Sequence, residues 1–149
     1  MRWRVQDKTK EATFLLVDDD QISIMAMKRA LKKLKIVNKT LEAKDGQEAL
    51  DILRAAADKA TGKLPPFIVT LDLNMPRMNG LEFLESVRAD PALQRIVVFV
   101  FTTSDMPRDI QSAYSRNVAG YLVKENPSET FSEALEMLGS YSRIVELPA

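Results

Sequence analysis

Four short apolar runs in this chain each end on a side chain with useful chemistry, and that alternation constrains the fold more than any other feature. Phe14-Leu15-Leu16-Val17 runs into Asp18, Asp19 and Asp20. Phe67 to Leu71 runs into Asp72, and Ile96 to Phe101 into Thr102. Gly120-Tyr121-Leu122-Val123 ends at Lys124. Runs of this length bounded by polar or turn residues are the signature of buried strands. A weaker strand is expected at Thr40-Leu41-Glu42-Ala43. Between them the apolar spacing changes to three and four. Ile24, Met27, Leu31 and Leu34 mark a helix from Ile22 to about Leu34, and Ala49, Leu50, Ile52 and Leu53 mark a second after Asp45-Gly46. Leu81, Phe83, Leu84 and Val87 form a third, closed by Asp90-Pro91. A fourth spans Asp109 to Asn117 with Ile110, Ala113 and Tyr114 on one side. Phe131, Leu135 and Leu138 form a fifth, capped by Ser128.

Strand and helix thus alternate five times, so parallel βαβ units are the economical reading. Continuous apolar strands suit a sheet covered on both faces, and right-handed crossovers put helices on both sides. The expected fold is α/β, doubly wound, over residues 13–140. Residues 1–12, with Trp3 and Val5, are expected to be a flexible lead-in. Residues 141–149, with apolar Tyr141, Ile144, Val145 and Leu147, form a C-terminal extension.

Composition removes whole classes of function. With 21 basic and 21 acidic residues the formal net charge is zero, which offers no global attraction to nucleic acid. There are no cysteines and no histidines, which excludes disulfides, thiolate or imidazole metal sites, Ser-His-Asp chemistry and any phosphohistidine of the chain's own. No apolar run reaches the roughly 20 residues that span a bilayer, and the polar start MRWRVQDKTKEAT lacks the apolar core of a signal peptide. A cytoplasmic protein is expected, working with carboxylates, lysine, hydroxyls and oxygen ligands.

In a parallel sheet the carboxyl ends of the strands share one edge, so Asp18, Asp19, Asp20, Asp72, Thr102 and Lys124 converge there. Carboxylates crowded together repel unless a cation joins them, and with oxygen donors alone the suitable cation is hard, Mg²⁺ first. Mg²⁺ with one or two carboxylates and phosphate oxygens is the apparatus of phosphoryl chemistry. Phosphoryl transfer asks mainly for positioning and charge neutralisation. Asp72 would attack as a carboxylate and form an acyl phosphate. Mg²⁺, the Lys124 ammonium and the Thr102 hydroxyl with loop N–H groups would share the phosphoryl oxygens. Singly, each residue has a plainer use: strand-end Asp residues cap turns and helices, a strand-end Thr packs, and a surface Lys is solvated. Their joint placement on four strand ends favours the site.

The motifs LLVDDD, LDLNMPRMNG, FVFTTS and GYLVK, in this order and spacing from about Phe14 to Leu138, closely resemble the receiver domain of two-component response regulators. The resemblance implies a five-stranded parallel sheet of order 2-1-3-4-5. It implies Asp18 and Asp19 as a metal pair with Asp72, the Asn74 backbone carbonyl as a further Mg²⁺ ligand, and Asp72 as phosphoacceptor. Thr102 becomes the switch hydroxyl, Lys124 the phosphate-binding lysine and Tyr121 the aromatic switch residue. It implies a phosphoacceptor switch and not a turnover enzyme, fed by a sensor histidine kinase. The stretch DLNMPRMNG, the long Leu53–Pro66 connection, FTTS and the apolar tail are similar to regulators of phytochrome-type kinases, which points to a bacteriophytochrome partner and light signalling.

Relatives of that kind form homodimers through the last helices and C-terminal extension, with Ile144, Val145 and Leu147 as anchors here. The alternative is a tail folded back on its own domain. A downstream phosphotransfer protein is a further expected partner, and neither DNA nor membrane is one. Nothing after the fifth helix resembles an output domain, so a single-domain regulator is expected. The family follows the lysine with a cis proline, whereas Glu125 stands here with a proline only at Pro127, and a non-proline cis bond costs about 2.5–4 kcal/mol. Two rivals use similar elements. A haloacid-dehalogenase-like phosphatase would want an acid where Asn74 stands, and a flavodoxin-like FMN binder would not place three acids after its first strand.

Overall fold

The computed structural model describes residues 11–124 and 129–148. Its elements alternate as β1 (Thr13–Val17), α1 (Gln21–Lys33), β2 (Thr40–Ala43), α2 (Gly46–Ala56), β3 (Phe67–Leu71), α3 (Gly80–Ala89), β4 (Val97–Thr102), α4 (Pro107–Ser115), β5 (Gly120–Val123) and α5 (Glu129–Ile144). The five strands form one sheet of order β2-β1-β3-β4-β5, and every neighbouring pair is parallel. The doubly wound α/β fold and the 2-1-3-4-5 order are therefore as expected.

Strand side chains alternate between faces, and the core divides accordingly. Leu15, Val17, Val69, Leu71, Val98 and Val100 lie in one cluster with residues of α2, α3 and α4. Phe14, Leu16, Ile68, Phe99 and Phe101 lie in the other with residues of α1 and α5. Burying a large apolar side chain is worth about 1.5–3 kcal/mol. With both faces loaded this way, a one-residue register slip would exchange every pair of faces at once.

Local chemistry sets the helix starts. Asp20 caps α1 by accepting from the Ile22 N–H at 2.9 Å, and Asp45 caps α2 through the Glu48 N–H at 2.9 Å. Asn79 and Glu82 make a reciprocal capping box at α3. The Leu53–Pro66 connection is organised by Asp58, whose carboxylate takes the N–H groups of Ala60 and Thr61, and by Gly62 at φ 68°.

Several details depart from the sequence reading. Ala12, placed in the lead-in, is buried in the second cluster, and its carbonyl accepts from the Asn38 amide at 2.8 Å. Helix α4 starts two residues before Asp109, with Pro107 at a first-turn position where its missing N–H costs nothing, and Tyr114 faces solvent. Helix α5 runs past Leu138 to Ile144. Gly139 stays helical there because it packs on Ile36, where a Cβ would come within 2.7 Å of the side chain. Tyr141, assigned to the extension, is thus helical and meets Phe99 edge to face at 5.2 Å. The tail turns inward at Leu147, which packs against the second cluster, while Ile144 and Val145 are exposed. Trp3, Val5, Ser128, the side chain of Phe131 and the Lys124–Glu125 bond lie outside the described residues. Among the described residues no helix is long and apolar enough to cross a membrane.

Candidate functional site

Strand register brings the site together. Val17 pairs with Leu71, so the next residues, Asp18 and Asp72, emerge side by side. Thr102 pairs with Val123, so Lys124 emerges beside the end of β4. Asp72 continues the ladder with its N–H on the Val17 carbonyl at 2.9 Å, and Lys124 does so with its N–H on the Thr102 carbonyl at 2.8 Å. Apolar pairing therefore holds these polar residues at the rim without help from their own side chains.

Carboxylate oxygens of Asp18, Asp19 and Asp72 all lie within 4.8 Å of one another. Asp18 is buried, Asp72 half-buried and Asp19 exposed. The Lys124 ammonium donates to Asp18 Oδ2 at 2.5 Å, across 106 residues of sequence. Burial pushes the Asp72 carboxyl above its usual range; the Lys124 ammonium opposes this, the Asp18 carboxylate adds to it, and hydrogen bonds from Thr102 and the Asn74 N–H oppose it. Such a carboxylate gains from a cation. Three hard oxygen donors at this spacing fit a divalent cation of the Mg²⁺ or Ca²⁺ type, and the chain has no thiolate or imidazole to offer a softer metal.

Asp20, the third acid of the run, does not join the cluster. Its carboxylate is used at the start of α1, taking the Ile22 N–H and the Ser23 hydroxyl at 3.2 Å. Asp20 is thus used as a helix cap, and Asp18 likewise takes the Asp20 N–H on Oδ1 at 2.9 Å while its Oδ2 faces Lys124. Asn74 places its N–H 3.4 Å from Asp72 Oδ1, which puts its backbone beside the carboxylates.

The hydroxyl side of the site continues into the β4–α4 loop. Thr102 is fully buried, and its Oγ accepts from the Ser104 N–H at 3.4 Å. Ser104 donates its own hydroxyl to Asp109 of α4 at 2.6 Å and accepts the Tyr121 hydroxyl on its carbonyl at 2.8 Å. Tyr121 is half-buried against the first cluster, and burial raises its phenol pKa. Ser104 thus links Thr102, α4 and Tyr121. Sequence reasoning gave it no role; the available signal was a hydroxyl two residues after a strand-end Thr, in reach of a first-turn Asp.

The loop behind Asp72 is held closely. A Cβ on Gly80 would stand 2.5 Å from the Asp72 carbonyl oxygen and 2.8 Å from Leu73 Cα, so α3 begins against the backbone of the acidic residue itself. Across the loop, the Arg77 guanidinium pairs with the buried Asp45 carboxylate, and the Gly46 N–H donates to the Met78 carbonyl at 3.0 Å. Neither Asp45 nor Arg77 was singled out from the sequence, because each has an ordinary local use as a cap and a loop cation.

Comparison with known proteins agrees with this geometry. The family model for the response regulator receiver domain matches residues 14–136. The probable methanogenesis regulatory protein FilR2 of Methanothrix harundinacea is 34% identical over 127 residues, covering 85% of this chain and 81% of that protein. The nitrate/nitrite response regulator NarL of Escherichia coli is 33% identical over 124 residues, 83% of this chain, which spans about half of NarL, 53%. Among solved structures, the phosphorylated cyanobacterial phytochrome response regulator RcpA superimposes with a TM-score of 0.79 at 29% identity, over 93% of this chain and 99% of its own. On its sheet order, its rim residues and these matches, the chain belongs to the response regulator receiver domain family and is a phosphorelay signalling protein.

Proposed function

We propose that Asp72 accepts a phosphoryl group from the phosphohistidine of a partner sensor kinase. The observation that carries this is the meeting of Asp18, Asp19 and Asp72 within 4.8 Å, with Lys124 on Asp18 and the buried Thr102 at the end of the neighbouring strand β4. The N–P bond of the donor breaks, an Asp72 Oδ–P bond forms, and the imidazole leaves with the bonding electron pair. The chain's lack of histidine makes an outside donor necessary. Asp18, Asp19, Asp72 and the Asn74 carbonyl would hold Mg²⁺, which when bound supplies positive charge to the phosphoryl oxygens. Lys124 neutralises a second oxygen and Thr102 hydrogen-bonds a third. With Asn74 where a hydrolase would place an acid, the acyl phosphate is held as a signal and is lost only slowly.

Movement of Thr102 toward the phosphoryl group pulls on Ser104, and through it on Tyr121 and α4, so the phosphorylated form presents a different α4–β5 surface. Likeness to a phytochrome response regulator supports a bacteriophytochrome kinase as donor and a role in light signalling in the cytoplasm. A phosphotransfer protein is a candidate onward acceptor. Ile144 and Val145, exposed at the end of α5, are the anchors available to a homodimer, whereas Leu147 is engaged by its own domain. Phosphotransfer from candidate kinases tests the reading: wild type takes up label with Mg²⁺ and Asp72→Asn takes up none. Labelling of Asp72→Asn at the wild-type rate would falsify it.

A further inference from the structure

Between Asp72 and Gly80 the chain leaves β3, crosses the sheet edge and enters α3. Leu73 and Met75 anchor this loop in the core, and Gly80 rests on the Asp72 backbone. Arg77 is held differently. Its backbone is left-handed at φ 62°, a conformation unfavourable for any residue with a Cβ and kept only where the surroundings impose it.

Asp45 meets the Arg77 side chain from another element. The Asp45 carboxylate is buried at 1% exposure; Oδ1 caps α2, and Oδ2 meets the Arg77 guanidinium across 32 residues of sequence. Capping needs only one oxygen. The second would be a buried anionic oxygen lacking a cation if Arg77 pointed elsewhere. Next to the pair, Gly46 donates its N–H to the Met78 carbonyl, and a Cβ on Gly46 would lie 2.7 Å from the Met78 side chain. The start of α2 therefore grips the loop at Arg77 and Met78, just beyond the Asn74 backbone. The Arg77 side chain is itself 71% exposed, so it contributes charge and direction more than packing.

We propose that Asp45 and Arg77 are positioning residues for the phosphoacceptor loop, their ion pair setting the backbone path that places the Asn74 carbonyl and the Asp72 carboxylate around the cation. The proposal rests on the reading of Asp72 and its neighbours as phosphoacceptor and metal site. Neither residue touches the reacting atoms. Their effect passes through the loop, as outer-shell partners act on metal ligands.

The test is calorimetric titration of the full chain with Mg²⁺, together with the rate of phosphate incorporation from acetyl phosphate at subsaturating Mg²⁺. The variants are Arg77→Ala, Arg77→Lys, Asp45→Asn and the D45N/R77A pair. Asp45→Asn keeps a capping oxygen, and Arg77→Ala removes an exposed side chain, so at least one variant stays folded. Arg77→Ala and Asp45→Asn should each weaken Mg²⁺ binding about tenfold and slow incorporation in step. The double variant should fall no further than either single one, and Arg77→Lys should recover most of the loss. Mg²⁺ affinity and rate both within about twofold of wild type in folded Arg77→Ala would overturn the proposal, whatever the melting temperature does. If wild type and Asp72→Asn incorporate phosphate alike, the acceptor reading fails instead, and the Mg²⁺ titration still decides the positioning role.

Discussion

Gly80 and Asp45 contact the loop behind Asp72 without contributing a carboxylate to the acidic cluster. Gly80 is a glycine for lack of space and not for backbone freedom, since its obstruction is the Asp72 carbonyl at 2.5 Å. Gly80→Ala would gain helix propensity worth about 0.5–1 kcal/mol. It would meet backbone that cannot swing aside, and overpacking of that kind costs about 1–3 kcal/mol. The second effect wins, and an unfolding free energy from urea denaturation lowered by a net of about 1–2 kcal/mol is the expected result. Asp45 gives a pH signature. Burial alone would raise its carboxyl, but the Glu48 N–H and the Arg77 guanidinium outweigh it, and the net direction is below the ordinary 3.8. A folded-state pKa below the unfolded one contributes stability that is present above the unfolded value and lost as pH falls through the folded one. The stability gap between wild type and Asp45→Asn should therefore be full at neutral pH and close as acid is added below about pH 4, measured by denaturant unfolding across pH. Asp18, Asp72, Thr102 and Lys124 were legible from the chain alone because each directly ends an apolar run. The Asp45–Arg77 pair and Ser104 were not, because their meaning lies in tertiary neighbours that no local pattern records.

Strands were the elements best read in advance: β2 and β5 begin and end where their short β-prone runs do. Helix α5 was the poorest. Gly139-Ser140 reads locally as a helix stop, yet the helix continues, because Gly139 lets α5 approach Ile36 and carries Tyr141 onto Phe99. Tertiary packing overrides a propensity of about 1 kcal/mol at that one position. The edge-to-face contact between Tyr141 and Phe99 adds to simple burial, by about 0.5–1.5 kcal/mol in such pairs. Tyr141→Leu should keep the helix and most apolar burial and lower the melting temperature by an amount equivalent to about 1 kcal/mol, seen by thermal circular dichroism. A loss of several kcal/mol would mean that α5 depends on Tyr141 for more than this contact.

Across the whole molecule, one sheet edge gathers charge and the two sheet faces supply the rigidity that keeps it gathered. A ligand that binds only the folded chain stabilises it by mass action, about 2.7 kcal/mol at a hundredfold excess over its dissociation constant. Mg²⁺ should therefore raise the melting temperature by several degrees in wild type, and far less in Asp19→Asn, which loses the exposed carboxylate of the cluster. A shift of equal size in both would remove Asp19 from the metal site. The Lys124–Asp18 contact has a further consequence, which is arithmetic. Three carboxylates and one ammonium carry −3 + 1 = −2 when all are ionised, the charge that one divalent cation cancels and a monovalent one does not. An acyl phosphate in place of the Asp72 carboxylate would carry about −2 where the carboxylate carried −1, and so would return one negative charge. On the proposed role of Asp72, cation and phosphoryl group would be linked partners, and thermodynamic reciprocity requires that whatever factor one adds to the other's equilibrium hold is returned in equal measure. The equilibrium extent of phosphorylation and the affinity for the metal would then share one coupling free energy, adjustable from either side.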